Sequence, residues 1–225
     1  MALMIEIESM DGSSLPLYVA KPQGSPKGAV VVIQEIFGLN AHIRAVADGY
    51  AQEGYLAVAP AIFERAKPGV ELGYTPEDIQ AGFALKNQME AMSETVLDDI
   101  QAAIDYAAEA GRVGIVGFCW GGLLSWRAAC ELGGLDAAVT YYGGGMTDES
   151  TREIGCPVLC HFAEEDSYIP LEAVEHFRQA QPEVEIHLYP TAHHGFNCDQ
   201  RGSWNPAAAM LARERSLAFF AEHLA

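Results

Sequence analysis

Three side chains that together could perform acyl transfer stand in chain order: the thiol of Cys119, the carboxyl of Asp166 and the imidazole of His194. Cys119 lies in Gly117-Phe118-Cys119-Trp120-Gly121-Gly122. The apolar, β-branched run at 112–116 precedes it and a helical stretch over 123–132 follows, so the spacing predicts a strand, a sharp turn and a helix. This is the context of a nucleophile elbow, in which the glycines two before and two after the nucleophile remove Cβ atoms that would collide with the neighbouring strand or helix. A thiol placed there projects at a helix start, where free N–H groups and the positive dipole end favour a thiolate and, later, an oxyanion. A thiol nucleophile needs a base, and the base needs an orienting acid. Residues 163–170 and 192–196 supply both in that order, each just past an apparent strand. Spacing alone leaves Glu164, Glu165 and Asp166 as competing acids, and His193 beside His194 as a competing base.

The elements that would position these groups follow from hydrophobic periodicity. Residues 3–8 alternate and residues 15–20 follow the turn signal Asp11-Gly12-Ser13-Ser14, predicting an N-terminal hairpin. The continuous apolar run at 28–33 reads as a strand buried on both faces and ends at Gln34-Glu35-Ile36-Phe37-Gly38. Asn40 can cap a helix reaching Glu53, and 55–60 is the next strand. One or two helices are expected over 77–110, further strands over 135–142, 156–162 and 184–189, and helices over 170–180 and 206–224. In the last, Leu211, Leu217 and Phe220 are expected to face inward. Strands alternating with helices imply right-handed crossovers and a mostly parallel sheet covered on both faces. The expectation is one α/β domain spanning 1–225, and the order nucleophile, acid, histidine is that of an α/β-hydrolase fold.

Composition narrows the function. The 31 acidic and 13 basic side chains give a formal charge of −18, which repels phosphate backbones and anionic lipid. Nucleic acid and membrane partners are not expected. Five cysteines are an odd number, and Cys156 and Cys160, roughly 13 Å apart along a strand, cannot pair. Glu6, Glu8 and Asp11 near the start, with no basic segment before an apolar core, predict no signal peptide, and a reducing cytoplasm is the expected compartment. His193 and His194 are adjacent and no Cys-x2-Cys accompanies them, so no metal site is expected; His42, His176 and His223, on helices, are assigned no role. His161 and His187 lie inside strands and read as satisfied histidines.

Five motifs in order, namely the Cys119 elbow, Gln34 to Asn40, Tyr141-Tyr142-Gly143, the acid loop from Asp166 to Pro170, and His194-Gly195-Phe196, resemble the dienelactone hydrolases (carboxymethylenebutenolidases). The resemblance runs from about residue 15 to the C-terminus. It implies a Cys119, Asp166, His194 triad, a role for Glu35 in activating the thiol when substrate arrives, an oxyanion hole from the backbone N–H groups of Ile36 and Trp120, and substrate contacts from Phe37 and Tyr142. Without the family, Glu35 reads as a strand-end charge and Tyr142 as a core aromatic. Where the family holds the substrate carboxylate with two arginines, this chain has Asp78, Gln80 and Gly82 in the first region and Cys198 at the second position. Arg201, three residues further on, is the expected substitute, with Arg65 another cation to weigh. The implied reaction is hydrolysis of a small carboxylic ester or lactone, with no cofactor, by a monomer or small homo-oligomer. Competing readings are a carboxylesterase of an unrelated neutral substrate and a thiol redox-sensing or binding protein on the same scaffold. Glutamine amidotransferases share the Gly-x-Cys-x-Gly elbow but lack the later acid and His-Gly-Phe, and a papain-like order would be Cys, His, Asn.

Overall fold

The computed structural model describes residues 2–224; Met1 and Ala225, the two ends of the expected domain, lie outside the described residues. Among these, eight strands form one sheet. They are β1 (Ala2–Glu8), β2 (Ser14–Ala20), β3 (Ala29–Ile33), β4 (Leu56–Pro60), β5 (Val113–Phe118), β6 (Ala137–Tyr141), β7 (Val158–Ala163) and β8 (Glu185–Tyr189), in the order β1-β2-β4-β3-β5-β6-β7-β8. β1 pairs antiparallel with β2, and β2 with β4; every other pairing is parallel. The helices are α1 (Ala41–Gln52), α2 (Pro76–Glu90), α3 (Ser93–Ala107), α4 (Trp120–Glu131), α5 (Leu171–Ala180) and α6 (Pro206–His223).

The central strands are those whose sequence is apolar on both faces: every residue of β3, β5, β6 and β7 is buried. Helix starts follow local chemistry. Asn40 caps α1 by accepting from the Ile43 amide at 3.2 Å, and Thr75 with Asp78 forms a reciprocal capping box before Pro76 on α2. α4 begins at Trp120, directly after Cys119, three residues earlier than the periodicity suggests. α6 presents a different face from the expected one. Phe220 is buried and Leu217 half-buried, but Leu211 is exposed, and the inward row is Ala208, Ala212, Ser216 and Phe219. The small residues let the helix lie close to the sheet, where the Ser216 hydroxyl reaches the Tyr141 hydroxyl at 2.7 Å and His161 Nε2 at 3.0 Å. His161 Nδ1 takes the Tyr189 hydroxyl at 2.8 Å, so this buried histidine is satisfied within the core. No helix among the described residues is long and apolar enough to cross a membrane.

The turn of the N-terminal hairpin is fastened to α3 by Arg65, whose guanidinium meets Asp99 Oδ1 at 2.7 Å, Asp11 Oδ2 at 2.8 Å and the Ser9 and Ser13 hydroxyls. Burial leaves the Asp99 side chain 1% exposed. Arg65 is therefore committed to structure and does not line the cavity described below. Removing it strands a buried carboxylate, the expensive way to break an ion pair. Arg65→Ala is expected to lower the unfolding free energy by about 3 kcal/mol, read from urea unfolding, whereas a loss within about 0.5 kcal/mol would mean that Asp99 is satisfied without it.

Candidate active site

Parallel pairing in the order β5, β6, β7, β8 brings four strand ends to one edge, with Phe118 beside Tyr141, Tyr141 beside His161 and Ala163 beside Tyr189. Open α/β sheets bind ligands at this edge. The elbow follows β5. A Cβ on Gly117 would overlap the Gly121 carbonyl oxygen, and one on Gly121 would press on the Ile33 and Gln34 carbonyls. Both glycines are thus demanded by backbone contact, and Cys119 itself sits at φ 56°, a conformation that costs an ordinary residue on the order of 1–3 kcal/mol. The Cys119 amide donates to the Tyr141 carbonyl at 3.0 Å, which fastens the turn to the end of β6.

The other two groups must reach back across the edge. β8 lies three strand spacings from β5, about 14 Å, so His194 can meet Cys119 only if the segment after β8 folds over the strand ends. It does so on an aromatic floor: Phe196 is fully buried against Tyr141, Tyr142 and Tyr189, and the His194 ring lies 5.1 Å from that of Tyr142. The Glu165 amide donates to the Ala192 carbonyl at 3.0 Å and so ties this segment to the acid loop. His194 Nε2 then stands 3.1 Å from Cys119 Sγ, and His194 Nδ1 lies 2.8 Å from Asp166 Oδ2. Asp166 Oδ1 accepts from the Tyr168 amide at 2.8 Å. The neighbours left open by spacing point elsewhere: Glu164 and Glu165 are exposed, and His193 Nδ1 bonds the Glu165 carbonyl at 2.9 Å.

Burial alone would hold His194 neutral. The charge of the Cys119 sulfur and the hydrogen bonds that the ring donates to Asp166 and Cys119 outweigh it and push the imidazole up to about 10. The geometry accordingly favours a proton held on the imidazole beside the Cys119 sulfur. The remaining cysteines differ: burial raises Cys130 and Cys198 to about 11, and Cys156 and Cys160 to about 12.

A cavity of about 250 Å³ opens over Cys119 and His194. Ile36 and Trp120 line it, as do Phe37 and Arg201. The Trp120 ring stacks on Phe63 at 5.3 Å, and its Nε1 donates to Glu90 at 2.5 Å. Glu90 is itself held by Arg127 at 3.0 Å, so α2 and α4 are joined beside the cavity. Glu35 is buried at the end of β3 and bonds Arg201 Nη1 through Oε1 at 3.1 Å; its Oε2 is buried without a hydrogen-bond partner. The resting partner of Glu35 is thus Arg201, while the Cys119 sulfur is engaged by His194. Tyr142 does not line the cavity: it is fully buried, at φ 39°, packed behind the His194 ring. Phe196 is core, and Trp204 is about half exposed and does not line the cavity.

Sequence reasoning missed the wall formed by α2. Ile79, Phe83 and Lys86 line the cavity, and their spacing of four and three places them on one helical face, a signal present in the chain. Lys86 is half-buried, and among the described residues it has no hydrogen-bond or ion-pair partner. It lies about two turns beyond Gln80 on the same helix.

Sheet order, elbow and carboxyl-edge placement define an α/β-hydrolase-like fold. Within that class the chain belongs to the dienelactone hydrolase family, whose model matches residues 15–224. It is 34% identical over 227 residues to the carboxymethylenebutenolidase of Pseudomonas putida, covering 96% of this chain and 95% of that one. A Synechocystis sp. protein provisionally named a carboxymethylenebutenolidase is 40% identical over 227 residues, 92% of this chain and 91% of that one. Among solved structures, a provisionally named dienelactone hydrolase of Klebsiella pneumoniae superposes with a TM-score of 0.84 at 34% identity, covering 99% of both chains. The protein is an ester hydrolase.

Proposed function

We propose that the protein hydrolyses a small carboxylic ester or lactone through a thioester on Cys119. The observation that carries this reading is the unbroken relay from Cys119 Sγ to His194 at 3.1 Å and from His194 to Asp166 at 2.8 Å. In the acylation half, the Cys119 sulfur attacks the ester carbonyl and the thiol proton resides on His194 Nε2. The tetrahedral oxyanion is received by the Ile36 and Trp120 amides, each worth about 3 kcal/mol when well placed. Collapse expels the alkoxide, which takes the proton from His194 and leaves a thioester. A water deprotonated by His194 then attacks the thioester carbonyl, and Cys119 departs as a thiolate. Asp166 holds the imidazole in the tautomer with Nδ1 protonated. Glu35, released when a substrate anion competes for Arg201, assists in keeping the sulfur deprotonated.

The cavity also favours a substrate that carries an anion. In a chain of charge −18, Lys86 and Arg201 place two cations around a wall otherwise made largely of Ile79, Phe83, Phe37 and Leu123. Such a pocket supplies a counter-charge that the surface lacks. The substrate class is therefore an unsaturated or otherwise apolar ester or lactone bearing a carboxylate, as the resemblance implies, with Lys86 taking part of the role of the absent arginine. A small molecule acted on in a reducing cytoplasm, with neither nucleic acid nor membrane as partner, is consistent with the acidic surface and the free thiols.

Two variants test this. Cys119→Ala is expected to reduce ester turnover by about 10⁴-fold or more with unchanged far-ultraviolet circular dichroism; retained turnover would remove the thiol from the chemistry. Lys86→Ala is expected to raise KM for dienelactone about tenfold, equivalent to about 1.4 kcal/mol, while leaving KM for a neutral p-nitrophenyl ester within about twofold. An equal rise for both esters would make Lys86 part of the wall and not an anchor.

A further inference from the structure

Beside the Glu35–Arg201 pair lie two side chains that the proposed hydrolysis does not use, His42 and Cys198, and with Glu35 they make a cluster. Glu35, His42 and Cys198 each offer one donor atom, and these atoms lie within 4.8 Å of one another. All three residues are buried: Glu35 at 1% exposure, His42 at 4% and Cys198 at 0%. They come from distant segments, namely the end of β3, the first turn of α1 and the loop between β8 and α6.

We propose that Glu35, His42 and Cys198 form a binding site for a borderline-soft divalent cation of the zinc type. The donor set is one carboxylate oxygen, one imidazole nitrogen and one sulfur, the combination such ions take in tetrahedral sites. Bonds of about 2.0–2.3 Å space tetrahedral donors about 3.5 Å apart, so side chains already within 4.8 Å need to close by roughly 1 Å. Glu35 and His42 each also carry a buried atom with no hydrogen-bond partner. These are Glu35 Oε2 and His42 Nε2, and a buried polar atom left unpaired is costly unless a ligand or ion engages it. The surroundings suit an ion. His42 Nδ1 faces Asp199 Oδ1 at 3.5 Å, the carboxylate–histidine arrangement that leaves Nε2 with its lone pair for a metal. The Tyr74 hydroxyl hydrogen-bonds the Cys198 sulfur and accepts from Asn40 Nδ2 at 3.1 Å. Glu35 and a Cys198 thiolate neutralise a divalent ion, the thiol proton leaving to solvent, while Arg201 keeps Oε1 at 3.1 Å. Three protein donors leave a coordination position for water.

The site has its own approach. A recess of about 280 Å³ reaches His42 and Asp199 past Asn197, Phe118, Tyr141 and Arg213. It shares no lining residue with the cavity over Cys119, so an ion can arrive while substrate is bound. One consequence rests on the hydrolytic reading of Glu35: with Oε1 on Arg201 and Oε2 on the ion, Glu35 is unavailable to assist Cys119, and the ion inhibits.

The test uses Co²⁺ as probe and a Cys119→Ser background, which removes the active-site thiol from the spectrum. One equivalent of Co²⁺ is expected to give a thiolate-to-Co²⁺ charge-transfer band that Zn²⁺ displaces. Adding Cys198→Ser should abolish the band. Adding His42→Gln, on the recess side, should keep the band but weaken binding by more than about a hundredfold, beyond the loss that outer partners cause. No band in the Cys119→Ser protein, or a band that survives Cys198→Ser, overturns the site. In a separate assay Zn²⁺ is expected to inhibit wild-type ester hydrolysis and to spare His42→Gln. Binding without inhibition would leave the site standing and remove Glu35 from thiol activation, so the two claims fail separately.

Discussion

The backbone contact between β5 and the start of α4 is the constraint on which the site depends. Gly117 lies against the Gly121 carbonyl, and Gly121 lies against the carbonyls that end β3. This double approach has three effects. It bends the chain sharply enough to hold Cys119 at φ 56°, it begins α4 at Trp120, directly after the thiol, and it brings the β3 end, with Ile36 and Glu35, to the same place. Side chains at 117 or 121 would separate all of these at once. The strained residue is therefore over-determined by its surroundings, the condition under which such strain persists.

Given the elbow, the remaining problem is distance. His194 and Asp166 arise from strands farther along the sheet, and the aromatic floor of Tyr141, Tyr142, Tyr189 and Phe196 gives the segment after β8 a surface on which to fold back. Tyr142 acts in this floor, behind the imidazole. Electrostatics complete the arrangement. Cys119 is paired with His194, Glu35 with Arg201, and only Lys86 among the cavity cations is uncommitted. A resting state of two closed pairs and one open cation can discriminate for an anionic ligand by exchange of partners.

Much of this was legible in the chain because its signals are local. The apolar runs of β3 and β5 read as strands buried on both faces, and the glycine spacing about Cys119 announced the turn. The failures share a physical origin. Leu211 was expected inward because apolar residues usually face the core, whereas α6 approaches the sheet through Ala208, Ala212 and Ser216, whose small size matters only once the neighbouring strand is known. His193 and His194 could not be separated by periodicity in a loop, where side-chain direction follows contacts and not a repeat. Lys86 shares a helical face with Ile79 and Phe83, but nothing in the sequence says that this face covers the elbow. Glu35, His42 and Cys198 are separated by up to 163 positions, far beyond any metal-ligand spacing, and only the sheet order unites them.

The central claim is that the ester carbon becomes covalently attached to Cys119. The most direct measurement is rapid acid quenching of the enzyme during turnover of a slow p-nitrophenyl ester, followed by peptide mass spectrometry. The account requires one acyl group per chain, on the peptide containing Cys119, labile to hydroxylamine and accumulating further in His194→Asn if acylation still proceeds. Turnover with no acyl adduct under quench, or an adduct on any residue other than Cys119, would contradict it.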